Sequence, residues 1–226
     1  MARPIISLDL DGTLINWDFA DALWFQGMAE MYSRRWGMGV SEAMEEIRRM
    51  YDEVGMERLE WYDINYWWGR FDLPGHWMDL VERCRHRIGT YPEVKEVLSR
   101  LRGACDRMIV VTNGSRELSE IELEHSGLDR LVDRLFSVTS DFRQVKKNGS
   151  VYRAVLREMD ASPEEVVHIG DNWLFDYLAP REAGITAYFL DRDNTRSGEN
   201  VVRDLVEFER AVRSLGSSGG CGPGKV

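Results

Sequence analysis

The chain has 226 residues, of which 43% are hydrophobic and 30% charged, and its formal net charge is −10 at pH 7. This composition is typical of one large globular domain, or of one domain that carries a substantial insertion. Nucleic-acid binding depends on clustered positive charge, so the acidic balance argues against a nucleic-acid partner. No segment approaches the roughly 18 consecutive apolar residues that a membrane-spanning helix needs.

The thiol content and the first residues indicate a cytoplasmic protein. The sequence contains three dispersed cysteines, Cys84, Cys105 and Cys221. Their odd number and the absence of a CxxC pair favour reduced thiols over disulfides or a zinc site. The start, MARPIISLDLDG, lacks the apolar core of a signal peptide. The histidines have no metal-ligand spacing and are interpreted as surface or packing residues.

Apolar patterning predicts an alternation of strands and helices. In chain order, the short apolar and β-branched runs that predict strands are 5–10, 107–112, 135–139, 165–170 and 185–190. Helical spacing of apolar residues predicts helices at 92–103, 115–127, 149–160, 175–184 and roughly 201–214. Strands that alternate with helices of this length predict an α/β fold, a Rossmann-like parallel sheet core with helices on both faces.

Residues 17–90 interrupt this alternation with four helical segments separated by Gly or Pro. Seven of the eight tryptophans and seven of the ten methionines fall within this block. The shift in composition predicts an all-helical second domain, a four-helix insertion at 17–90, with the α/β core at 1–16 and 91–215. The Gly- and Ser-rich end, 216–226, is predicted to be a disordered tail.

Polar side chains follow four of the predicted strands, and ligands bind at the carboxyl ends of strands in an open parallel sheet. These residues are Asp9, Asp11, Thr112, Asn113, Lys146, Asp171 and Asp176. Two carboxylates as close in sequence as Asp9 and Asp11 disfavour joint ionisation unless a cation lies near them. The sequence therefore predicts a site in which a hydroxyl, a lysine and four carboxylates meet.

This set of residues fits phosphoryl transfer. Mg²⁺ and a lysine can neutralise the phosphoryl charge, and Mg²⁺ prefers a few carboxylates together with water and substrate oxygens. Asp9 and Asp171 can supply the carboxylates. Asp9 can then attack phosphorus to form an aspartyl-phosphate. Asp11 can give a proton to the leaving oxygen and later take one from water.

Three of these stretches resemble motifs of the haloacid dehalogenase-like hydrolase superfamily, in its phosphatase branch. They are DLDGTL at 9–14, VVTNG at 110–114 and GDNWLFD at 170–176. The resemblance implies that Asp9 is the nucleophile and that Asp11 is the acid and base. It also implies that the backbone carbonyl of Asp11 contacts the metal, together with Asp9 and Asp171.

The same resemblance assigns the remaining positions. Thr112 becomes the phosphate-binding hydroxyl, Asn113 an amide donor beside it, and Asp176 a metal ligand or a support for one. Asp176 could instead cap the helix that follows, a common use of Asp.

The lysine of the family's third motif is usually followed by proline, with an aromatic residue six positions after the lysine. In KKNGSVY, Tyr152 lies six residues after Lys146, and Lys147 takes the place of the proline. We therefore predict Lys146 as the catalytic and phosphate-binding lysine, with Lys147 as the alternative. Since only four of the 29 basic residues are lysines, a lysine pair here supports the assignment.

The position of the insertion resembles that of the family's helical cap, which closes over the site and selects the substrate. Its tryptophans and methionines could contact a substrate or could fill the core of the insertion. Trp17, Trp24, Met28 and Met31 recur at near-helical spacing, which favours the core interpretation.

The predicted function is Mg²⁺-dependent hydrolysis of a phosphate monoester of a small metabolite through Asp9. Three alternatives are a phosphomutase, a 2-haloacid dehalogenase and a non-catalytic interaction protein on the same fold. The motifs are compatible with a mutase. Asp11 and Asp171 argue against a dehalogenase, which needs neither an acid two residues after the nucleophile nor a metal. An interaction protein would be expected to lack Asp9, Asp11 or Lys146. The substrate and the oligomeric state stay open.

Overall fold

A computed structural model describes residues 3–145 and 147–217, and its centre is a parallel sheet. The strands are β1 (Ile5–Leu8), β2 (Met108–Thr112), β3 (Arg134–Ser137), β4 (Val166–Gly170), β5 (Thr186–Leu190) and β6 (Val201–Val202). Their order is β3-β2-β1-β4-β5-β6, and every neighbouring pair is parallel. The order reverses between β1 and β4, which is the topological switch point where such sheets bind ligands.

A helical insertion lies between β1 and β2. Its elements are α1 (Asp18–Ala20), a π-helical stretch (Asp21–Gly27), α2 (Met28–Trp36), α3 (Val40–Val54), a 3-10 turn (Leu59–Tyr62), α4 (Ile64–Arg70), α5 (Trp77–Cys84) and a 3-10 turn (Arg85–Arg87). Gly37 ends α2 at φ 69°, a left-handed conformation that glycine adopts readily. Asp63 begins α4, because its side chain accepts from the amide of Asn65. These elements occupy the four segments that the sequence predicted to be helical.

The remaining helices connect and flank the strands. They are α6 (Val94–Arg102), α7 (Arg116–Ser126), α8 (Val138–Asp141), α9 (Gly149–Met159), a π-helical stretch (Trp173–Leu178), α10 (Ala179–Glu182) and α11 (Leu205–Ser217). The helix expected at roughly 201–214 was placed too early, because Val201 pairs with Phe189 at the edge of the sheet. The predicted tail, 216–226, lies outside the described residues from 218 onward, and α11 includes its first two positions.

Both faces of the sheet are covered, as the α/β prediction requires. Successive residues of β2 alternate between two hydrophobic clusters, with Val110 in one and Ile109 and Val111 in the other. All of β1, β2 and β4 is buried, which is the pattern of parallel strands packed on both sides. The predicted fold class is confirmed.

The cluster that contains Val110 continues from the sheet into the insertion, where it includes Phe19, Trp67 and Leu80. The division into a core domain and a cap domain at residues 17 and 90 remains a prediction. None of the described helices has the length and apolar character to cross a membrane.

Candidate active site

The turn after β1 brings two carboxylates to the switch point. The amide of Asp9 still donates to Ile169 O of the neighbouring strand, at 2.9 Å. The chain then turns through Gly12, whose φ of +81° favours glycine. A Cβ at Gly12 would lie only 2.0 Å from Asp171 Oδ2, so the absence of a side chain here lets Asp171 approach the turn.

A buried lysine meets Asp9. Lys147 is 3% exposed, and its Nζ donates to Asp9 Oδ1 at 2.6 Å and to Val111 O at 3.2 Å. The same ammonium forms an ion pair with Asp176. Its backbone amide donates to Asn113 Oδ1 at 3.0 Å, which fixes the chain at this position. Lys147 was the alternative in the sequence analysis, and it is the lysine that the structure places at Asp9.

The predicted lysine, Lys146, lies outside the described residues. Asn113 was predicted as an amide donor to the phosphate. Its Oδ1 is occupied by the Lys147 amide, so its Nδ2 is the group that remains to donate.

Asp176 is held from three sides and does not cap a helix. Its Oδ2 accepts from the Asn172 amide at 3.0 Å, and its Oδ1 lies 3.2 Å from His168 Nε2. Asn172, not Asp176, caps the helical stretch that follows. Burial disfavours the Asp176 carboxylate, but Lys147 and His168 outweigh it and lower its pKa. The same network raises the pKa of Lys147 against the effect of burial.

His168 supports Asp176 from inside the sheet, a role that the sequence analysis missed. It is fully buried in β4, with Nδ1 2.8 Å from Ser7 Oγ and Nε2 2.9 Å from the Tyr152 hydroxyl. Burial lowers the pKa of His168, so the imidazole is neutral. Its position in an otherwise apolar buried strand, VVHIG, was the available signal.

Thr112 ends β2 within this group of residues. It is 1% exposed, and its Oγ1 accepts from the Gly114 amide at 3.0 Å. Ser137 Oγ donates to Gly114 O at 2.7 Å and so ties the end of β3 to the same turn. The structure therefore brings the predicted hydroxyl to the edge of the sheet where Asp9 lies.

Asp11 pairs with a carboxyl group that the sequence analysis did not identify. Glu122 of α7 is 4% exposed and hydrogen bonds with the Asp11 side chain. Burial raises the pKa of Asp11 to about 6. Burial and the Asp11 charge raise the pKa of Glu122 well above its usual value, so Glu122 is the member that carries the proton. An acidic residue on the buried face of α7, beside Leu118 and Ile121, was the signal for this pair.

Three carboxylates are arranged as metal ligands. Asp9, Asp171 and Asp176 each offer an oxygen, and these atoms lie within 4.8 Å of one another. Burial, with the charge of Asp176, raises the pKa of Asp171 to about 6, and burial raises that of Asp9. A bound cation would relieve this cost, and carboxylate oxygens suit Mg²⁺. Asp11 adds no side chain to the trio; its predicted contact through the backbone carbonyl stays a prediction.

A cavity of about 460 Å³ opens between this edge of the sheet and the insertion. Its acidic lining residues are Asp9, Asp11, Asp21, Glu122, Asp171 and Asp176. Among the described residues that line it, Lys147 is the one cation. A phosphate dianion would be repelled by this surface without a divalent cation, so the charge of the cavity agrees with the metal trio.

The insertion forms an aromatic wall of the cavity. Seven of its ten lining residues there are aromatic, and the ten are Trp17, Phe19, Ala20, Asp21, Trp24, Phe25, Tyr51, Met56, Trp61 and Tyr62. The core interpretation of the insertion is correct for Met28, which is fully buried. It is wrong for Trp17, which is 51% exposed and lines the cavity. Trp24 and Met31 are half-buried and pack against the core, and Trp24 also lines the cavity.

Comparison with known proteins identifies relatives of most of the chain. A family model described as haloacid dehalogenase-like hydrolase matches residues 4–184. The chain is 29% identical over 169 residues to the GMP/IMP nucleotidase YrfG of Escherichia coli. The aligned region covers 74% of this chain and 73% of that protein.

Two solved structures share the fold. A HAD phosphatase from Thermococcus onnurineus superposes with a TM-score of 0.78 at 24% identity, over 94% of this chain and 98% of the other. An L-2-haloacid dehalogenase from Xanthobacter autotrophicus superposes with a TM-score of 0.62 at 18% identity, over 95% of this chain and 100% of the other. Because one fold carries both chemistries, the reaction has to be argued from the site.

Proposed function

The chain belongs to the haloacid dehalogenase-like hydrolase family, and from that premise we propose that it is a Mg²⁺-dependent phosphohydrolase of a small phosphorylated metabolite. The observation that carries the proposal is the arrangement at the switch point. There, Asp9 contacts the Lys147 ammonium, and its carboxylate lies close to those of Asp171, which is half-buried, and Asp176, which is buried.

In the first step, Asp9 attacks phosphorus while the bond from phosphorus to the leaving oxygen breaks. Asp11 passes the proton that it shares with Glu122 to that oxygen, and the phosphoryl group is left on the Asp9 carboxylate. In the second step, Asp11 takes a proton from water, the water oxygen attacks phosphorus, and inorganic phosphate leaves Asp9. A pKa of about 6 suits Asp11 to both directions of proton transfer near neutral pH.

The remaining residues bind and orient the phosphoryl group. The Thr112 hydroxyl and the Asn113 amide donate to phosphoryl oxygens, and the Lys147 ammonium offsets their charge. The carboxylates of Asp9, Asp171 and Asp176 would hold Mg²⁺. When bound, the ion neutralises negative charge on the phosphoryl oxygens and on the carboxylates that surround them.

The site favours phosphate transfer over the dehalogenase alternative. Displacement of halide needs no acid beside the nucleophile, yet Asp11 is held next to it by a buried partner, Glu122. Displacement of halide also needs no cation site. The clustered carboxylates of Asp9, Asp171 and Asp176 cost folding energy when no cation compensates their charge. The relative in Escherichia coli is a nucleotidase by name, which agrees with a phosphate monoester as substrate.

The test uses two substrates and a matched pair of variants. Wild type with Mg²⁺ should release p-nitrophenol from p-nitrophenyl phosphate and no chloride from 2-chloropropionate. Asp9→Asn should abolish this turnover with an unchanged circular dichroism spectrum, whereas Asp129→Asn, an exposed carboxylate outside the cavity, should not. Turnover retained by Asp9→Asn would remove it as the nucleophile, and chloride release without phosphatase activity would support the dehalogenase.

A further inference from the structure

We propose that Trp17, Trp24 and Trp61 bind the leaving group of the substrate and that this group carries a planar heteroaromatic ring, as in a nucleoside monophosphate. The inference rests on the proposed phosphohydrolase function and extends it to a substrate class. Four observations carry it: the position of the wall, its unused donors, its rigidity and its lack of positive charge.

The aromatic wall reaches the catalytic turn. Trp17 Cζ2 lies 3.0 Å from where a Cβ on Gly12 would stand, and Asp171 borders the same point. Trp24 and Trp61 line the same cavity as Asp9. A phosphate ester bound at Asp9 would therefore have its leaving group next to these indoles. The cavity, at about 460 Å³, lies within the range of small-molecule sites.

Indole donors divide the tryptophans of the insertion into two groups. Four of them donate Nε1 within the chain: Trp36 to Phe71 O, Trp67 to Trp61 O, Trp68 to Gly75 O and Trp77 to Asn65 Oδ1. Within residues 3–145 and 147–217, Trp17, Trp24 and Trp61 have no such acceptor. Buried or half-buried indoles normally find a partner, so these three donors are available to a ligand that offers acceptors.

The wall is pre-organised by a buried tyrosine. Tyr51 is 5% exposed and packs edge-to-face with Trp24 at 6.5 Å and with Trp61 at 5.8 Å between ring centroids. Its hydroxyl donates to Trp24 O at 2.8 Å. Trp24 also belongs to the π-helical stretch Asp21–Gly27, and such segments occur frequently at functional sites. Rings held in this way lose little conformational freedom when they bind a ligand.

The chemistry of the cavity fits a nucleotide better than an aliphatic phosphate. The wall offers aromatic faces and indole N–H groups, and its charged member is the acidic Asp21, so a second anionic group would be repelled. Ser115, directly before α7, and Ser119 on α7 line the cavity, and their hydroxyls have no hydrogen-bond partner among the described residues. These two hydroxyls can form hydrogen bonds with the hydroxyl groups of a pentose. Stacking on aromatic faces suits any planar base.

The experiment compares GMP with ribose 5-phosphate, which keeps the phosphate and the pentose and lacks the base. We expect kcat/KM for GMP to exceed that for ribose 5-phosphate by about tenfold or more, the effect of one stacked base. Trp24→Leu should remove about tenfold of this preference, because it should lower kcat/KM for GMP about tenfold more than kcat/KM for ribose 5-phosphate. Trp17→Leu, at a half-exposed position that contributes little to folding, should act in the same direction. Trp36→Leu, on the insertion but outside the cavity, should leave the preference unchanged.

Binding to the Asp9→Asn protein, measured calorimetrically with the same two ligands and Mg²⁺, separates this inference from the proposed function. Tighter binding of GMP that depends on Trp24 and Trp17, together with no hydrolysis of GMP by the wild type, would leave the ring site standing and overturn the hydrolase. Hydrolysis of both compounds at equal kcat/KM would overturn the ring site and leave the hydrolase. Equal loss of both substrates in Trp24→Leu and Trp17→Leu would also overturn the ring site, since it would indicate a structural role.

Discussion

The buried lysine gives the sharpest test of how this site is held together. Lys147 is 3% exposed, and its Nζ contacts the carboxylates of Asp9 and Asp176, which are 6% and 1% exposed. Lys147→Met keeps a side chain of similar length and removes the charge. Removing one partner of a buried ion pair leaves an uncompensated charge, so we expect the free energy of unfolding to fall by about 3–5 kcal/mol.

The pH dependence of this loss has a definite sign. In the wild type, Lys147 holds the pKa of Asp176 low, so the stability that this group contributes is present above its unfolded pKa and is lost as the pH falls. Without the lysine, burial would raise the pKa of Asp176, and the stability would be present at low pH and lost as the pH rises. The deficit of the variant should therefore be largest at pH 7 and shrink towards pH 4.

Urea unfolding of the metal-free proteins between pH 4 and pH 7 measures this deficit, and p-nitrophenyl phosphate turnover measures the catalytic loss, expected at about 10²–10³ in kcat. Lys146→Met is the matched control, one residue away. The reasoning is refuted if Lys147→Met loses less than about 1 kcal/mol, the value of an exposed ion pair. If Lys146→Met then loses activity, the catalytic lysine is Lys146.

Two further predictions concern the carboxylates at the end of β4. In Gly170→Ala, the new Cβ would lie 2.4 Å from Asp176 Cγ, so we expect a loss of about 1–3 kcal/mol in urea unfolding and of phosphatase activity. Gly103→Ala is the control, because its new Cβ would lie 3.6 Å from the nearest heavy atom. Equal stability of the two variants would contradict the expected clash at Gly170. EDTA should abolish turnover reversibly, and Mg²⁺ should raise Tm, less so in Asp171→Asn. Because the pKa of Asp171 is about 6 and Mg²⁺ binds the ionised carboxylate, the increase in Tm caused by Mg²⁺ should be larger at pH 7 than at pH 5. An increase in Tm that does not depend on pH would exclude Asp171 as a ligand.

Topology explains why the sequence located most of the site. Parallel strands bring their carboxyl ends to one edge whatever the details of packing, and the patterns of β1, β2 and β4 are strong. Thr112 ends β2, and Asp9 and Asp171 directly follow β1 and β4, so their meeting needed only the strand assignments. By contrast, β6 is two residues long, and no periodicity can distinguish it from the start of a helix.

The position of the lysine depends on contacts that the sequence does not display. The described residues between α8 and α9, 142–145 and 147–148, belong to no helix or strand, so no pattern fixes which of two adjacent lysines faces Asp9. In the structure, the Asn113 side chain binds the amide of Lys147, and Asn148 caps α9 immediately afterwards. A hydrogen bond between residues 34 positions apart decides the register.

Helical spacing failed to separate the tryptophans of the insertion for a similar reason. Spacing shows that Trp24 lies on an apolar face, but this insertion has one apolar surface against the core and another against the cavity. Trp67, which is fully buried, and Trp24, which lines the cavity, therefore look alike in sequence. The free indole donors distinguish them, and a donor is free or paired only in three dimensions.

The charges of the cavity explain how so many acids coexist in one buried space. Lys147 compensates Asp176 and faces Asp9, while Glu122 keeps its proton and shares it with Asp11. Asp171 has no such partner within residues 3–145 and 147–217, and burial together with the charge of Asp176 raises its pKa to about 6. Among the described residues, negative charge is least compensated where Asp9, Asp171 and Asp176 converge. A divalent cation at that point would let the carboxylates ionise together and would admit a phosphate that the bare cavity repels, so ion and substrate should bind cooperatively.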